Sequence, residues 1–171
     1  MPELDPRYPF TAFNFGVEIQ LPEAGGVRTL CDAAFSECDG LEVSFEVKTI
    51  REGGCNDRQI RLAGPASMGQ LSLKRGMTRS FDLWNWVASV QRDPALRAEA
   101  TVLMFDSDQG RPGKVRARFL LSRCLPVKLK APALNARDGL VAVEELQVAY
   151  EALELRPPDD DRAGAGGGVG A

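Results

Sequence analysis

A mainly β fold, a sandwich or barrel carrying a single helix, is what this sequence predicts. Three observations point there. Apolar and polar residues alternate in one segment after another, turn residues separate those segments, and only one stretch switches to helical spacing.

The first strand is "FTAFNFGVEIQL". Phe13, Phe15, Val17, Ile19 and Leu21 share one face, while Asn14, Gly16, Glu18 and Gln20 share the other. "GLEVSFEVKTI" repeats the pattern with Leu41, Val43, Phe45 and Val47 inward against Glu42, Ser44, Glu46 and Lys48. A glycine-rich charged turn, "REGGCND", follows. "QIRL" continues after it, and "QLSLKRG" alternates again through Leu71 and Leu73. From Val47 to Thr78 the chain therefore reads as a long hairpin arm.

"SFDLWNWVASVQR" breaks the two-residue period. Phe81, Trp84, Val87 and Ala88 fall on one helical stripe, widened by Leu83, Trp86 and Val90. Phe81, Trp84 and Val87 are the expected helix core. Thr78 or Ser80 is positioned to cap the helix, Asp82 suits its first turn, and Asp93-Pro94 ends it. "ATVLMFD", "VRARFLLS" and "VKLKA" then supply further strands. "DGLVAVEELQVAYEALEL" stays open. Its Ala, Glu and Leu content favours a helix, yet Leu140, Ala142, Leu146, Val148 and Tyr150 also fit one strand face, interrupted by Glu144. Beyond Leu155, two prolines, three aspartates and a Gly/Ala run cannot offset their ordering entropy. The expected division is a folded domain over 1–156 and a disordered tail over 157–171.

Composition narrows the chemistry. The chain has 171 residues, a net charge of −3 and no histidine. Its charge disfavours general nucleic-acid binding, and the missing histidine removes His-dependent triads and His-containing metal sites. Cys31, Cys38, Cys55 and Cys124 form no CxxC pair, so neither a zinc site nor a thioredoxin-like site is indicated. The start "MPELDPRYPF" lacks a signal-peptide pattern, and no apolar run is long enough for a membrane span. The expectation is a protein made in the cytoplasm with reduced thiols.

Gly53-Gly54 lies between strands and matches neither a P-loop nor a dinucleotide motif; turn glycines explain it. Glu42, Glu46, Glu52, Asp57, Asp106, Asp108, Glu144 and Glu145 read as strand-face acids with no catalytic pairing in the sequence. Between Arg111 and Lys130 there are seven basic residues and no acid, with Lys114, Arg116 and Arg118 on one face. They read as a solvated face or as an interface to an acidic neighbour, with nucleic acid disfavoured by the missing aromatic platforms. Long strands also leave edges that an oligomer can pair by closing into a ring.

The ordered motifs "FNFGVEI", "CDGLEVSFEV", "IREGG", "LSLKRGMT", "DLWNWV", "PVKLKAPALNA" and "VAVEELQVAYE" resemble the tail-tube (inner tube) proteins of contractile phages and phage-like contractile injection systems. The resemblance covers roughly Tyr8 to Leu155. It implies two antiparallel sheets in a sandwich or half-barrel with one flanking helix and a projecting hairpin. It further implies hexameric rings with a continuous inner β-barrel, stacked inside a contractile sheath. It makes "LVAVEELQVAYEAL" a strand. The hairpin over about Val47 to Leu73 then bridges neighbouring subunits and adjacent rings. Arg51, Glu52, Gly53, Gly54, Asp57, Arg58, Lys74, Arg75 and Gly76 become the candidate contacts. The implied partners are further copies of the chain, the sheath protein, baseplate and tube-initiation proteins, a tail terminator, and DNA or protein cargo in the lumen. No enzymatic activity, cofactor, metal or membrane anchor is implied. The long "LPEAGGVRTLCDAAF" link, "VRARF" without a tryptophan, and the Gly/Ala tail depart from the family pattern and favour a tube-initiator ring. The alternative from a different class is a monomeric β-barrel that holds a small ligand.

Overall fold

In a computed structural model the described residues are 14–23, 26–33, 35–51, 59–108, 111–135, 137 and 139–158. The expected tail over 157–171 falls almost wholly outside them. The strands are β1 (Phe15–Glu23), β2 (Gly26–Ala33), β3 (Glu37–Asp39), β4 (Val43–Ile50), β5 (Ile60–Met68), β6 (Gln70–Gly76), β7 (Ala98–Asp108), β8 (Arg111–Lys130), β9 (Val143–Ala149) and β10 (Ala152–Arg156). The one helix among the described residues is α1 (Asp82–Arg92).

All strand pairings are antiparallel. The main array runs β2-β1-β7-β8-β9-β6-β3, with β10 also on β8. The twenty-residue β8 divides it into two sheets. Its first half pairs with β7 and β10, and its last residues pair with β9. The change of sheet falls at Arg123, which adopts φ 56°. A side chain in this region costs about 1–2 kcal/mol. The Arg123 N–H bonds Glu99 Oε1 at 3.3 Å and its guanidinium bonds Glu151 at 2.7 Å, holding the bend. "VRARFLLS" and "VKLKA" are thus one bent strand rather than two. Within the "LPEAGGVRTLCDAAF" link, Gly26–Ala33 forms β2, paired along β1.

The core follows the alternation. Val17, Ile19 and Leu21 of β1 meet Ala100, Val102, Leu121, Leu71, Leu73, Leu146 and Val148 in one buried cluster. Over 143–149 the strand reading holds against helix propensity, because burial of alternate residues outweighs intrinsic preference. Tyr150 and Glu151 break the expected single strand, and β10 follows as a second one on β8. The helix sits where its spacing placed it, but its core differs. Leu83 and Trp86 are the buried residues, Trp84 and Val87 are half-buried, and Phe81 is the exposed N-cap. The helix turns the flank of the apolar stripe, not its centre, onto the sheet. Neither Thr78 nor Ser80 caps it; Thr78 Oγ1 instead accepts the Ser80 N–H at 3.3 Å.

A second departure concerns β4 and β5. They pair with each other and with no other strand among the described residues. All eight residues of β4 are exposed, so Val43, Phe45 and Val47 are not inward in the single chain. The ribbon is anchored at its base. Gly40 has φ 88°, and a Cβ there would lie 1.9 Å from the Gln70 carbonyl oxygen. Gly40→Ala is therefore expected to cost on the order of 3 kcal/mol. Gly139→Ala, with nothing within 4 Å of its Cβ, should stay within about 0.5 kcal/mol of the parent. Urea unfolding of the two variants checks the difference.

Candidate assembly surface

The arm begins at a clasp built by Tyr150, which follows β9. Its buried hydroxyl donates to the Gly40 carbonyl at 2.8 Å, with the Glu42 carbonyl at 3.0 Å, and accepts the Glu42 N–H at 2.9 Å. The Gly69 N–H closes the same loop by bonding the Glu42 carbonyl at 2.9 Å. Backbone and hydroxyl pack so closely that a Cβ on Gly69 would lie 2.9 Å from the Gly40 oxygen. The outgoing and returning strands of the arm are thereby tied to the body at one point.

Beyond the clasp the ribbon is apolar but uncovered. Phe45 is 60% exposed and Val47 59%; nearer the tip Ile50 is 48% and Leu62 46% exposed. Burying a side chain of this kind contributes about 1.5–3 kcal/mol, so the exposed ribbon forgoes a large stabilisation. A lone two-stranded hairpin is marginal in water.

A second constellation lies at the other end of β6. Arg75 and Glu144 sit directly opposite each other in the β6–β9 ladder, both turned inward. They are 3% and 1% exposed. Arg75 Nε donates to Glu144 Oε1 at 2.6 Å, Nη1 donates to Asp82 Oδ2 at 3.2 Å and to Cys31 Sγ at 3.3 Å, and Nη2 donates to Asp82 Oδ1. Trp84 Nε1 donates to the other Glu144 oxygen at 3.1 Å, and the guanidinium lies 5.7 Å from the Phe35 ring centre. Helix and sheet are locked through this one charged cluster. Burial works against the Arg75 charge, but hydrogen bonds with Asp82 and Glu144 outweigh it and raise the Arg75 pKa. Burial would also raise the Asp82 carboxyl, yet the Arg75 hydrogen bond prevails and holds it below its ordinary value.

The expected contact residues separate. Arg51 is exposed on the arm. Lys74 is exposed and bonded to Glu37 of β3 at 2.6 Å, which raises its pKa. Gly76 ends β6 opposite Val143. Arg75 is the correction: alternation along β6 turns it into the core with Leu71 and Leu73, so it belongs to the chain's own interior. Glu52, Gly53, Gly54, Asp57 and Arg58 lie outside the described residues. In the basic stretch, Arg116 pairs with Asp106 at 2.6 Å and Arg123 with Glu151 at 2.7 Å. Burial, then Glu99, pushes the Cys124 thiol up to about 12, and burial, then Asp39, pushes Cys38 to about 11. Both are protonated at neutral pH. Among the described residues, no His/Cys/Asp/Glu group is arranged to hold a metal ion, and no helix is long and apolar enough to cross a membrane.

Tyr150, Gly40 and Glu144 escaped the sequence reading as functional residues. Two signals mark them. Glu144 and Arg75 each interrupt an inward apolar series, and Asp39-Gly40 is a turn dipeptide just ahead of the arm.

This architecture has relatives. A family model described as T4-like virus tail tube protein gp19 matches residues 11–154. The chain belongs to that family. Tail tube proteins are structural subunits, and the two-sheet body with its arm is the form that this member takes. Among solved structures, a chain of the anti-feeding prophage baseplate is 24% identical with a TM-score of 0.74, covering 89% of this chain and 98% of that one. A chain of the sheath/tube terminator of PVC, an extracellular contractile injection system, is 20% identical, with a TM-score of 0.72 over 89% and 99%. One from the PVC sheath–tube complex is 17% identical, with 0.70 over 88% and 93%. These likenesses show a shared fold. A comparison with curated proteins finds no match.

The tail tube body should fail when its charged lock is broken. Arg75→Met is expected to cost about 3–5 kcal/mol, because it leaves Glu144 and Asp82 without their shared cation. Glu144→Gln should cost less, because Arg75 keeps Asp82. The double variant should cost less than the sum of the two, as a double-mutant cycle in urea will read. The pH dependence has a definite sign. Asp82 has a folded pKa below its unfolded one, so its contribution is complete above the unfolded value of about 3.9. It is lost as pH falls through the folded value. Thermal midpoints should decline on acidification below about pH 5, and Asp82→Asn should flatten that decline.

Proposed function

We propose that this chain is a subunit of the inner tube of a contractile tail or injection system. It assembles into six-membered rings that stack and are driven outward when the sheath contracts. The observation that carries this reading is the exposed apolar arm on a body of the tail tube family. Nothing among the described residues covers Phe45, Val47 and Leu62, whereas a ring covers them with its neighbours. Pairing of strand edges across subunits removes the free edges of the array and stiffens the tube.

In this reading Arg51, the turn residues Glu52, Gly53, Gly54, Asp57 and Arg58, and the exposed Lys74 and Gly76 face other subunits. Arg75 supports them from inside. Sheath, baseplate and terminator proteins are the partners, and DNA or a protein passes through the lumen.

The test is light scattering across a range of protein concentrations. The parent chain should reach the mass of six copies and above. A variant lacking Gly53 to Ala63 should keep its β-rich circular dichroism and remain a monomer. Normal association of the shortened variant would overturn the reading.

A further inference from the structure

We propose that Arg123 is a positioning residue for the arm: it holds the β9–β10 corner so that the Tyr150 hydroxyl meets the arm's root. The inference concerns the chain's own geometry and holds whatever the arm touches.

Arg123 occupies a place that suits glycine. Between the pairs Ala98–Cys124 and Ala100–Leu121, Ser122 and Arg123 together oppose Glu99, which makes a β-bulge. At φ 56° a Cβ crowds the following carbonyl oxygen. That disfavours a residue other than glycine by a factor of roughly five to thirty in the folding equilibrium. Arg123 forms an ion pair with Glu151, but both side chains are more than half exposed. Such a pair recovers a factor of about five at most. For stability alone, glycine serves at least as well. Strain kept on these terms points to a constraint other than stability, and what the guanidinium touches identifies it.

The contacts lead to the arm. Arg123 Nε donates to Glu151 Oε2 at 2.7 Å, and Arg97 Nε stands 4.0 Å from the other Glu151 oxygen. The Glu151 N–H donates to the Ser122 carbonyl at 3.0 Å. The bulge therefore holds both the side chain and the backbone of Glu151, at the corner between β9 and β10. The residue before it is Tyr150, whose hydroxyl bonds the Gly40 carbonyl and both backbone groups of Glu42.

The direction of the arm depends on this joint. β4 and β5 pair with no other strand among the described residues, and every residue of β4 is exposed. Leu41 and Met68 pack against the core beside the joint, but apolar contacts are non-directional. Hydrogen bonds are directional and tolerate only a few tenths of an ångström. From the joint, the eight residues of β4 extend about 27 Å, so a small rotation at the root becomes a large displacement at the far end. Arg123 limits that rotation through Glu151 and Tyr150.

Hydrogen–deuterium exchange of the dilute monomer, read beside thermal unfolding, tests this line of contacts. The Glu42 and Gly69 amides, both hydrogen-bonded at the joint, report on the root, and those of β1 and β7 report on the body. Arg123→Gly relieves the strain and releases Glu151. Its thermal midpoint should equal or exceed the parent's, while the two root amides exchange about fivefold faster and the body amides do not. A merely structural residue would move stability and root protection in the same direction. Glu151→Gln keeps the strain and should loosen the root without raising the midpoint. Tyr150→Phe should speed both root amides at least as much, and adding Arg123→Gly to it should speed them no further. Effects that multiply in that double variant overturn the route through Tyr150. Parent-like root exchange in Arg123→Gly and Glu151→Gln overturns the proposal, as does faster exchange spread evenly over root and body.

Discussion

Two strands cannot bury either face of their own ribbon, and this constraint reaches through the rest of the structure. The body buries Val17, Ile19, Leu71, Leu73, Leu121 and Trp86 between two sheets and a helix, while Val27, Leu134, Leu140, Val141 and Leu155 stay exposed on it. The arm leaves Phe45, Val47, Ile50 and Leu62 in solvent. Exposed apolar surface on this scale marks an interaction site, and a free two-stranded edge invites pairing. Among the described residues, nothing covers the arm.

An arm that acts between subunits needs a fixed root. Tyr150 supplies it by holding both Gly40 and Glu42, while close backbone packing at Gly40 and Gly69 leaves no room for side chains. At the opposite end of β6 and β9, Arg75, Glu144, Asp82 and Trp84 tie the helix to the sheet. Directed charged hydrogen bonds resist sliding where apolar contacts alone allow it. The same two strands thus carry a clasp at one end and a lock at the other.

Much of this was legible in the sequence, for identifiable reasons. Alternation through Val17, Ile19 and Leu21, and through Leu71 and Leu73, gave the buried faces because side chains in a strand repeat every two residues. The helix was visible because its period differs. Its buried residues were not, since a broad stripe leaves open which edge meets the sheet, and Leu83 with Trp86 took the place assigned to Phe81, Trp84 and Val87. The family resemblance makes Arg75 a contact, whereas its place in the Leu71, Leu73, Arg75 series turns it inward with Glu144 as its partner. The register shift between Phe45 and Val47 leaves no trace in alternation, and only the Gly64–Pro65 pair opposite it signals a bulge.

The central claim is that other copies of the chain cover the arm. Hydrogen–deuterium exchange, compared between dilute monomer and concentrated protein, tests it most directly. The account predicts that amides over 43–50 and 60–68 exchange quickly in the monomer and become strongly protected on association. Association that leaves these amides exchanging as fast as in the monomer would contradict it.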